Sequence, residues 1–174
     1  AIHTGQEAAL GFLFGGVLGL ALAAVFVHSK LAERAFMPYI VASQTIPILA
    51  IAPMIIVVLN SVGVAGLLPK ALISMYLSFF PVAVGMVKGF RCPERVLLDQ
   101  MSTWNASRAR VFWRLRLPAA MPYLFASLKV AAAAALVGAI IGELPTGAVA
   151  GLGARMLSGS YYGQTVQIWS ALLM

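Results

Sequence analysis

Four long stretches of the chain carry almost no charge, and they limit the possible folds more than any other feature. Residues 8–27, 35–69 and 71–87 contain no charged side chain, and residues 117–142 contain only Lys129. A helix that crosses the hydrocarbon core of a bilayer needs about 20 mainly apolar residues. Because a helix satisfies its own backbone hydrogen bonds, it is the form such stretches take in lipid. The sequence therefore predicts an all-α, polytopic transmembrane helical bundle.

The composition agrees with this prediction. Only 10% of the residues are charged and 61% are hydrophobic, whereas soluble domains carry about 25% charged residues. The predicted spans are residues 8–28, 39–59, 70–88 and 119–142. A fifth helix is expected to begin in the apolar residues before Met174. We expect residues 1–174 to form one transmembrane domain, a fragment that lacks one helix at its start and has its last helix truncated.

The basic residues predict how the bundle lies in the membrane. Lys and Arg concentrate in cytoplasmic loops, and here nine lie in two alternate loops while two lie in the others. The nine are Lys30, Arg34, Lys88, Arg91, Arg95, Arg108, Arg110, Arg114 and Arg116; the two are Lys70 and Arg155. We therefore expect 29–38 and 89–118 inside, and 60–69 and 143–164 outside with the N-terminus. The net charge of +7 then reflects orientation, and no nucleic acid partner is expected.

Polar residues in the second span leave two interpretations open. Pro47 and Pro53 each remove a backbone donor and disturb the preceding turn, and Ser43, Gln44 and Thr45 stand before the first of them. The span is either a kinked helix whose hydroxyl groups bond its own backbone, or a broken helix whose polar side chains border a water-filled path.

Glu143 directly follows the fourth span. It is either a solvated helix end or, as an acid at membrane depth, a functional group. Small residues spaced by four, among them Gly11, Gly15 and Gly19 in the first span, predict close packing within the bundle or against a partner.

The polar loop 89–118 is expected to form two short amphipathic helices joined by a turn. Pro93 suits the first turn of a helix, and Asn105 tolerates the left-handed conformation that ends one. Ser107 can cap the second helix, which reaches the fourth span at Pro118. The apolar residues at helical spacing are Leu97, Leu98, Met101 and Trp104, then Val111, Phe112 and Leu115.

Three roles for this loop compete. Its arginines could only orient the chain, its apolar faces could lie on lipid headgroups, or the loop could dock a cytoplasmic partner. Orientation needs only a few basic residues, so the ordered apolar faces favour docking. Cys92, which also lies inside, has no partner for a disulfide and no metal-ligand spacing around it.

The loop resembles the EAA loop of ABC-importer permeases, the binding-protein-dependent inner-membrane component family. That pattern is Glu-Ala-Ala, three residues, Gly, nine residues, then Ile-x-Leu-Pro. Here Asp99, Gln100 and Met101 are followed at the same spacings by Asn105 and by residues 115–118. Residues 105–131 and 42–59 are similar to the permeases for nitrate, sulfonate, taurine and pyrimidine precursors. Asp99 replaces the usual Glu, and Asn105 replaces Gly at a position that needs positive φ.

The resemblance implies a type I importer permease core of about five helices in a bacterial inner membrane. Each loop would dock on a cytoplasmic ATP-binding subunit, a second permease subunit would complete a pair (a homodimer is expected), and an external solute-binding protein would deliver substrate. The coupling residues would be Asp99, Gln100, Met101, Trp104, Asn105, Ala106, Ser107, Arg110, Phe112, Leu115, Leu117 and Pro118. The candidate path residues would be Ser43, Gln44, Thr45, Pro47 and Glu143.

The chain itself is not expected to be an enzyme. It has no G-x-x-x-x-G-K-[ST] phosphate loop, so ATP and Mg²⁺ would bind the separate ATPase, and no cofactor is expected here. An alternative is a fragment of a secondary, ion-coupled transporter, which would need coupling acids or interrupted helices in paired repeats. An intramembrane enzyme is disfavoured because His3 and His28 have no catalytic partners nearby. The sequence does not identify the substrate.

Overall fold

A computed structural model describes residues 1–145 and 151–173 of the protein, and every regular element in these ranges is helical. The helices are α1 Ile2–His28, α2 Lys30–Ser43, α3 Ile48–Ser61, α4 Leu67–Arg91, α5 Arg95–Thr103, α6 Arg108–Val111, α7 Leu117–Glu143, α8 Leu152–Tyr161 and α9 Thr165–Leu173. A π-helical turn, Phe112–Arg116, joins α6 to α7. The all-α prediction is confirmed.

Three long helices, α1, α4 and α7, pack together as the centre of the bundle and are long and apolar enough to cross a membrane. Their shared core contains Phe26 of α1, Met86 and Phe90 of α4, and Ala120 and Ala131 of α7. Since α1 runs parallel to α4 and α7 runs opposite to both, the C-termini of α1 and α4 meet the start of α7 at one end, called here the loop end. The first, third and fourth predicted spans are confirmed.

Close backbone contact holds α1 against α4 and α7 against α4. Gly11, Gly15 and Gly19 are buried on α1, and a Cβ atom added at Gly19 would lie 2.6 Å from the carbonyl oxygen of Phe79. On α7, a Cβ atom at Gly138 would lie 2.6 Å from Cα of Ser74. The spacing of small residues therefore serves packing within the bundle, as one of the two sequence interpretations predicted.

Gly19→Ala is expected to destabilise the bundle by about 1–3 kcal/mol, since the new methyl group would overlap backbone atoms of α4. Gly16→Ala is the matched control, because its Cβ would meet only Leu128 Cδ2 at 3.9 Å. The measurement is thermal unfolding of the purified protein in detergent. Equal melting temperatures for the two variants would show that α1 and α4 are not in close contact.

The second predicted span is not one helix. It is divided into α2 and α3, which are bent by 99° at residues 44–47. Pro47 precedes α3 and, having no N–H and disfavouring helix in the residue before it, breaks the helix there. The expected inner loop 29–38 is also corrected, because α2 already begins at Lys30, capped by the Ser29 side chain.

The second helix of the predicted loop is not separate from the fourth span. The chain is helical without interruption from Arg108 to Glu143, and Pro118 lies within the first turn of α7. Pro118 has no N–H to donate, and in the π-helical turn before it the Leu117 N–H bonds the carbonyl of Phe112, five residues back. Pro118 therefore does not mark a boundary between loop and span.

At the opposite end, the predicted outer loop 143–164 contains the helix α8. Tyr161 and Tyr162 at its C-terminus are exposed. Residues 146–150 of this loop lie outside the described residues. The expected last helix is present as α9, whose described part ends at Leu173.

Candidate functional site at the two ends of the bundle

The turn that ends α5 depends on one residue with a left-handed backbone. Asn105 has φ 49°, its N–H donates to Ser102 O (2.9 Å), and the next N–H, of Ala106, donates to Met101 O (3.0 Å). This 5→2 and 6→1 pair is the Schellman motif, which satisfies carbonyl groups left open at a helix C-terminus. The predicted turn at Asn105 is confirmed.

The helix after the turn starts where the sequence indicated. Ser107 is the N-cap of α6, and its Oγ accepts a long hydrogen bond of 3.4 Å from the N–H of Arg110. A side-chain acceptor at this position satisfies one of the open amide groups of the first turn. The predicted cap is therefore confirmed, and the turn between α5 and α6 is fixed on both sides.

Aromatic packing anchors the loop to the bundle. The Phe112 ring lies 5.0 Å from the ring of Phe90 on α4 and 5.1 Å from that of His28 on α1. Arg116 Nη1 donates to the carbonyl of Phe90 at 3.2 Å. Phe112 and Leu117 both pack against the central core. Phe112, one of the predicted coupling residues, therefore packs against the bundle and attaches the loop to it.

The other side of the loop is exposed. No residue of α5 is buried, and the exposed fraction of the side chains is 42% for Leu97, 65% for Trp104 and 66% for Trp113. Met101 and Ala106 are half-buried, as is Leu115, whereas Gln100 and Pro118 are exposed. Large exposed apolar side chains set among polar residues are typical of a protein-binding surface.

Two charged groups on the exposed face form no ion pair with the part of the chain that the structure describes. The ion pairs formed among residues 1–145 and 151–173 are Glu7–Lys70 and Glu33–Arg91. Asp99 and Arg110 are exposed and belong to neither pair. Their charges are therefore available to a molecule that contacts α5 and α6.

A basic groove lies beside the loop. It has a volume of about 960 Å³, and its charged lining consists of Lys30, Glu33 and Arg34 of α2, Arg91 of α4 and Arg116. Glu33 and Arg91 form an ion pair across it, which ties α2 to the end of α4. The loop end is thus strongly basic, as expected of the cytoplasmic side of a membrane protein.

The break between α2 and α3 satisfies its own polar groups. Ser43 Oγ donates to Ile40 O and Thr45 Oγ1 donates to Ala42 O, each at 2.7 Å. The hydroxyl of Tyr76 on α4 donates to the carbonyl of Ser43. The hydroxyl groups therefore bond the backbone of their own segment, as the first of the two interpretations predicted. The helix is nevertheless broken, as the second predicted. Tyr76, which holds the break against the bundle, was not predicted from the sequence.

Glu143 is fully buried at the opposite end of the bundle. Its Oε1 accepts from the Thr4 hydroxyl at 2.7 Å, and its Oε2 accepts from the N–H of Gly153 at 2.6 Å. The interpretation of Glu143 as a solvated helix end is therefore wrong. A buried carboxylate is tolerated only where hydrogen bonds replace its hydration, and here α1 and the first turn of α8 supply them.

A second buried acid, Glu7, lies nearby and was missed in the sequence. It is 3% exposed and forms an ion pair with Lys70 of α4 at 3.1 Å. The other carboxylate oxygen, Oε2, has no hydrogen-bond partner among the described residues. The sequence contained one signal for this ion pair. Glu7 and Lys70 both stand at ends of predicted spans, and these ends were expected on the same side of the membrane.

Together these features define an all-α membrane protein with three long spanning helices, a broken second span and an exposed helical loop at one end. Residues 15–174 match the family described as binding-protein-dependent transport system inner membrane component. The chain belongs to this family, and its apolar helices agree with a multi-pass location in a bacterial inner membrane.

Individual relatives support the same assignment. The chain is 33% identical to a probable ABC transporter permease of Haemophilus influenzae, with 97% of this chain and 66% of the relative covered. It is 32% identical to a formylaminopyrimidine transport permease of Halalkalibacterium halodurans (83% and 56% covered) and 35% identical to a riboflavin transport system permease of Chloroflexus aurantiacus (73% and 46% covered). The chain thus spans about half to two thirds of the length of these relatives.

Proposed function

We propose that the chain is the core of the membrane-spanning permease subunit of an ATP-binding-cassette importer. The observation that carries this proposal is the exposure of α5. The helix has no buried residue and ends in the left-handed turn at Asn105. Leu97 and Asp99 on the helix and Trp104 directly after it are exposed. The family and the relatives supply the class of transport system. In this proposal α5 docks on a separate cytoplasmic ATPase that binds ATP and Mg²⁺, and this chain binds no cofactor.

The helical continuity of α6 and α7 supports the coupling mechanism. Because the chain is helical from Arg108 to Glu143, a displacement of the loop moves α7 as a rigid body along its whole length. Phe112 and Arg116 attach the same segment to the ends of α1 and α4. Closure of the ATPase pair on ATP would therefore be transmitted through the loop to a bundle with two arrangements.

The break between α2 and α3 is the proposed border of the translocation path. Exposed Thr45 and Pro47, with half-buried Ser43 and Gln44, lie at the 99° bend. Non-helical backbone at membrane depth is tolerated where it contacts protein or lines a water-filled cavity. We leave Glu143 out of this border, because both of its oxygens accept hydrogen bonds inside the protein.

The proposed partners follow from this role. None of the residues of α2 and only two of α3 are buried, as expected of helices that face a second permease subunit, proposed to be a second copy of this chain. An external solute-binding protein would deliver a small solute at the opposite end. Formylaminopyrimidine and riboflavin, named for two relatives, are the chemical range we propose for that solute.

Cysteine crosslinking at the loop tests the proposal. With native Cys92, which is exposed, and with Ser107→Cys, a short crosslinker in membranes should capture an ATP-binding subunit, identified by mass spectrometry. The yield should change on addition of ATP. The control is Tyr161→Cys in a Cys92→Ser background, which places the thiol at the opposite end. Capture of lipid alone from the loop positions would overturn the proposal and favour an ion-coupled transporter.

A further inference from the structure

The first turn of α8 is capped by side chains from two other helices. Leu152 N–H donates to Thr4 Oγ1 at 3.0 Å, and Gly153 N–H donates to Glu143 Oε2 at 2.6 Å. The residue before the helix usually supplies this cap, but here that residue is Gly151, which has no side chain. Thr4 of α1 and Glu143 of α7 take its place and are themselves joined by a hydrogen bond of 2.7 Å.

The backbone around the carboxylate is shaped to receive it. Gly151 has φ 143°, a conformation that side-chain-bearing residues rarely adopt. A Cβ atom at Gly151 would overlap the Glu143 carboxylate, and one at Gly153 would lie 3.0 Å from Oε2 and overlap the carbonyl of Ile140. The two glycines of the segment 151–153 therefore leave the space that the Glu143 carboxylate occupies, and side chains at these positions would fill it.

This contact lies at the end of the helix that begins in the loop. Glu143 is the last residue of α7 and Arg108 the first of α6, in one continuous helical segment. Thr4 and Glu143 are both 0% exposed. In so buried a site, loss of the carboxylate leaves the N–H of Gly153 and the hydroxyl of Thr4 without this acceptor, which is unfavourable.

We propose that Thr4 and Glu143 form a latch that positions α8 on the end of the bundle opposite the loop. Glu143 is a positioning residue, because it joins α7 to both α1 and α8. It holds α8 in place, and release of α8 opens the end of the bundle opposite the loop. The link to opening rests on the proposed function. Because the latch bonds exist only while α8 is docked, they stabilise the docked arrangement relative to any arrangement in which α8 is displaced.

The test measures access to α8 in the full complex in membrane vesicles. In a Cys92→Ser background, Leu152→Cys places a thiol at a position that is 7% exposed, and its rate of reaction with a membrane-impermeant maleimide is followed without nucleotide. Glu143→Ala and Thr4→Val, which removes only the hydroxyl function, should each raise this rate about tenfold or more. Tyr161→Cys, 79% exposed, should react at the same rate in every variant.

Two further variants separate a latch from general damage to the bundle. Glu143→Gln should restore most of the protection, because its amide oxygen can accept from Gly153 and its NH₂ group can donate to Thr4. Ser127→Ala removes another buried hydroxyl of α7, one that bonds its own helix at Leu124, and should leave the rate unchanged. Unchanged labelling in both Glu143→Ala and Thr4→Val would overturn the latch, as would an equal increase in Ser127→Ala. If Glu143→Ala does not insert, Thr4→Val decides.

Adding ATP distinguishes the latch from the transport role. A faster reaction of Leu152→Cys on adding ATP, with the latch residues intact, supports both proposals. Faster labelling in the latch variants, with no response to ATP in the parent, supports the latch and contradicts the proposed ATP coupling.

Discussion

Replacing Asp99 with arginine is expected to abolish ATP-driven uptake while the protein remains folded and inserted. The carboxylate is exposed on α5, a helix with no buried residue, and it lies outside both described ion pairs. A surface substitution of this kind changes stability by about 0.5 kcal/mol or less. Like charges placed together in a docking surface cost several kcal/mol, so uptake should fall about a hundredfold or more.

The measurement is uptake of radiolabelled solute by a strain that carries only the variant, together with thermal unfolding of the purified protein. Glu94→Arg is the matched control, since Glu94 is exposed, immediately precedes α5 and undergoes the same change of charge. Asp99→Glu restores the acid that is usual in the EAA pattern and should transport normally. Normal uptake with Asp99→Arg, or equal loss with Glu94→Arg, would contradict a specific role for Asp99.

The spanning helices could be predicted because their signal is local. Twenty apolar residues without charge cannot be placed in water, whatever the rest of the chain does, so the predicted bounds 8–28, 70–88 and 119–142 lie within six residues of the ends of α1, α4 and α7. The Asn105 turn was predictable for the same reason, since the left-handed conformation depends on the residue itself and on its nearest carbonyl groups.

Two features could not be predicted from the sequence. They are the direction of the bend between α2 and α3, and the side of the loop that packs against the bundle. Two prolines indicated a disturbed second span, but the 99° bend also depends on contacts such as that of Tyr76 with Ser43. The inward packing of Phe112 depends on Phe90 and His28, which come from other helices. The π-helical turn that starts at Phe112 inserts one residue, which rotates the side chains after it by about 100° relative to a regular α-helix.

The latch was hidden for a different reason. Thr4 and Glu143 are 139 positions apart, and no periodicity connects a threonine near the start of one helix with an acid at the end of another. Residues 143–164 were expected only as an outer loop, and only the fold shows that the Glu143 carboxylate occupies the space where side chains at 151 and 153 would be. Such long-range polar contacts depend on which helices become neighbours.

Asn105→Val is expected to abolish uptake, whereas Asn105→Gly should transport normally. The native φ of 49° is available to glycine without strain but costs a β-branched residue about 1–3 kcal/mol. Valine would escape this cost by returning to negative φ, which breaks the bonds from Asn105 to Ser102 and from Ala106 to Met101. The angle between α5 and α6 would then change, and Asp99 and Trp104 would no longer meet the ATPase together.

Uptake is measured as for Asp99, and crosslinking of Ser107→Cys to the ATPase reports docking directly. Thr103→Val is the matched control, because it introduces the same side chain two residues earlier at an exposed position inside α5, where the backbone is helical. It should crosslink and transport normally. Equal uptake by Asn105→Val and Asn105→Gly would show that the left-handed turn is not required, and the rigid connection between α5 and α6 could then not be the coupling element.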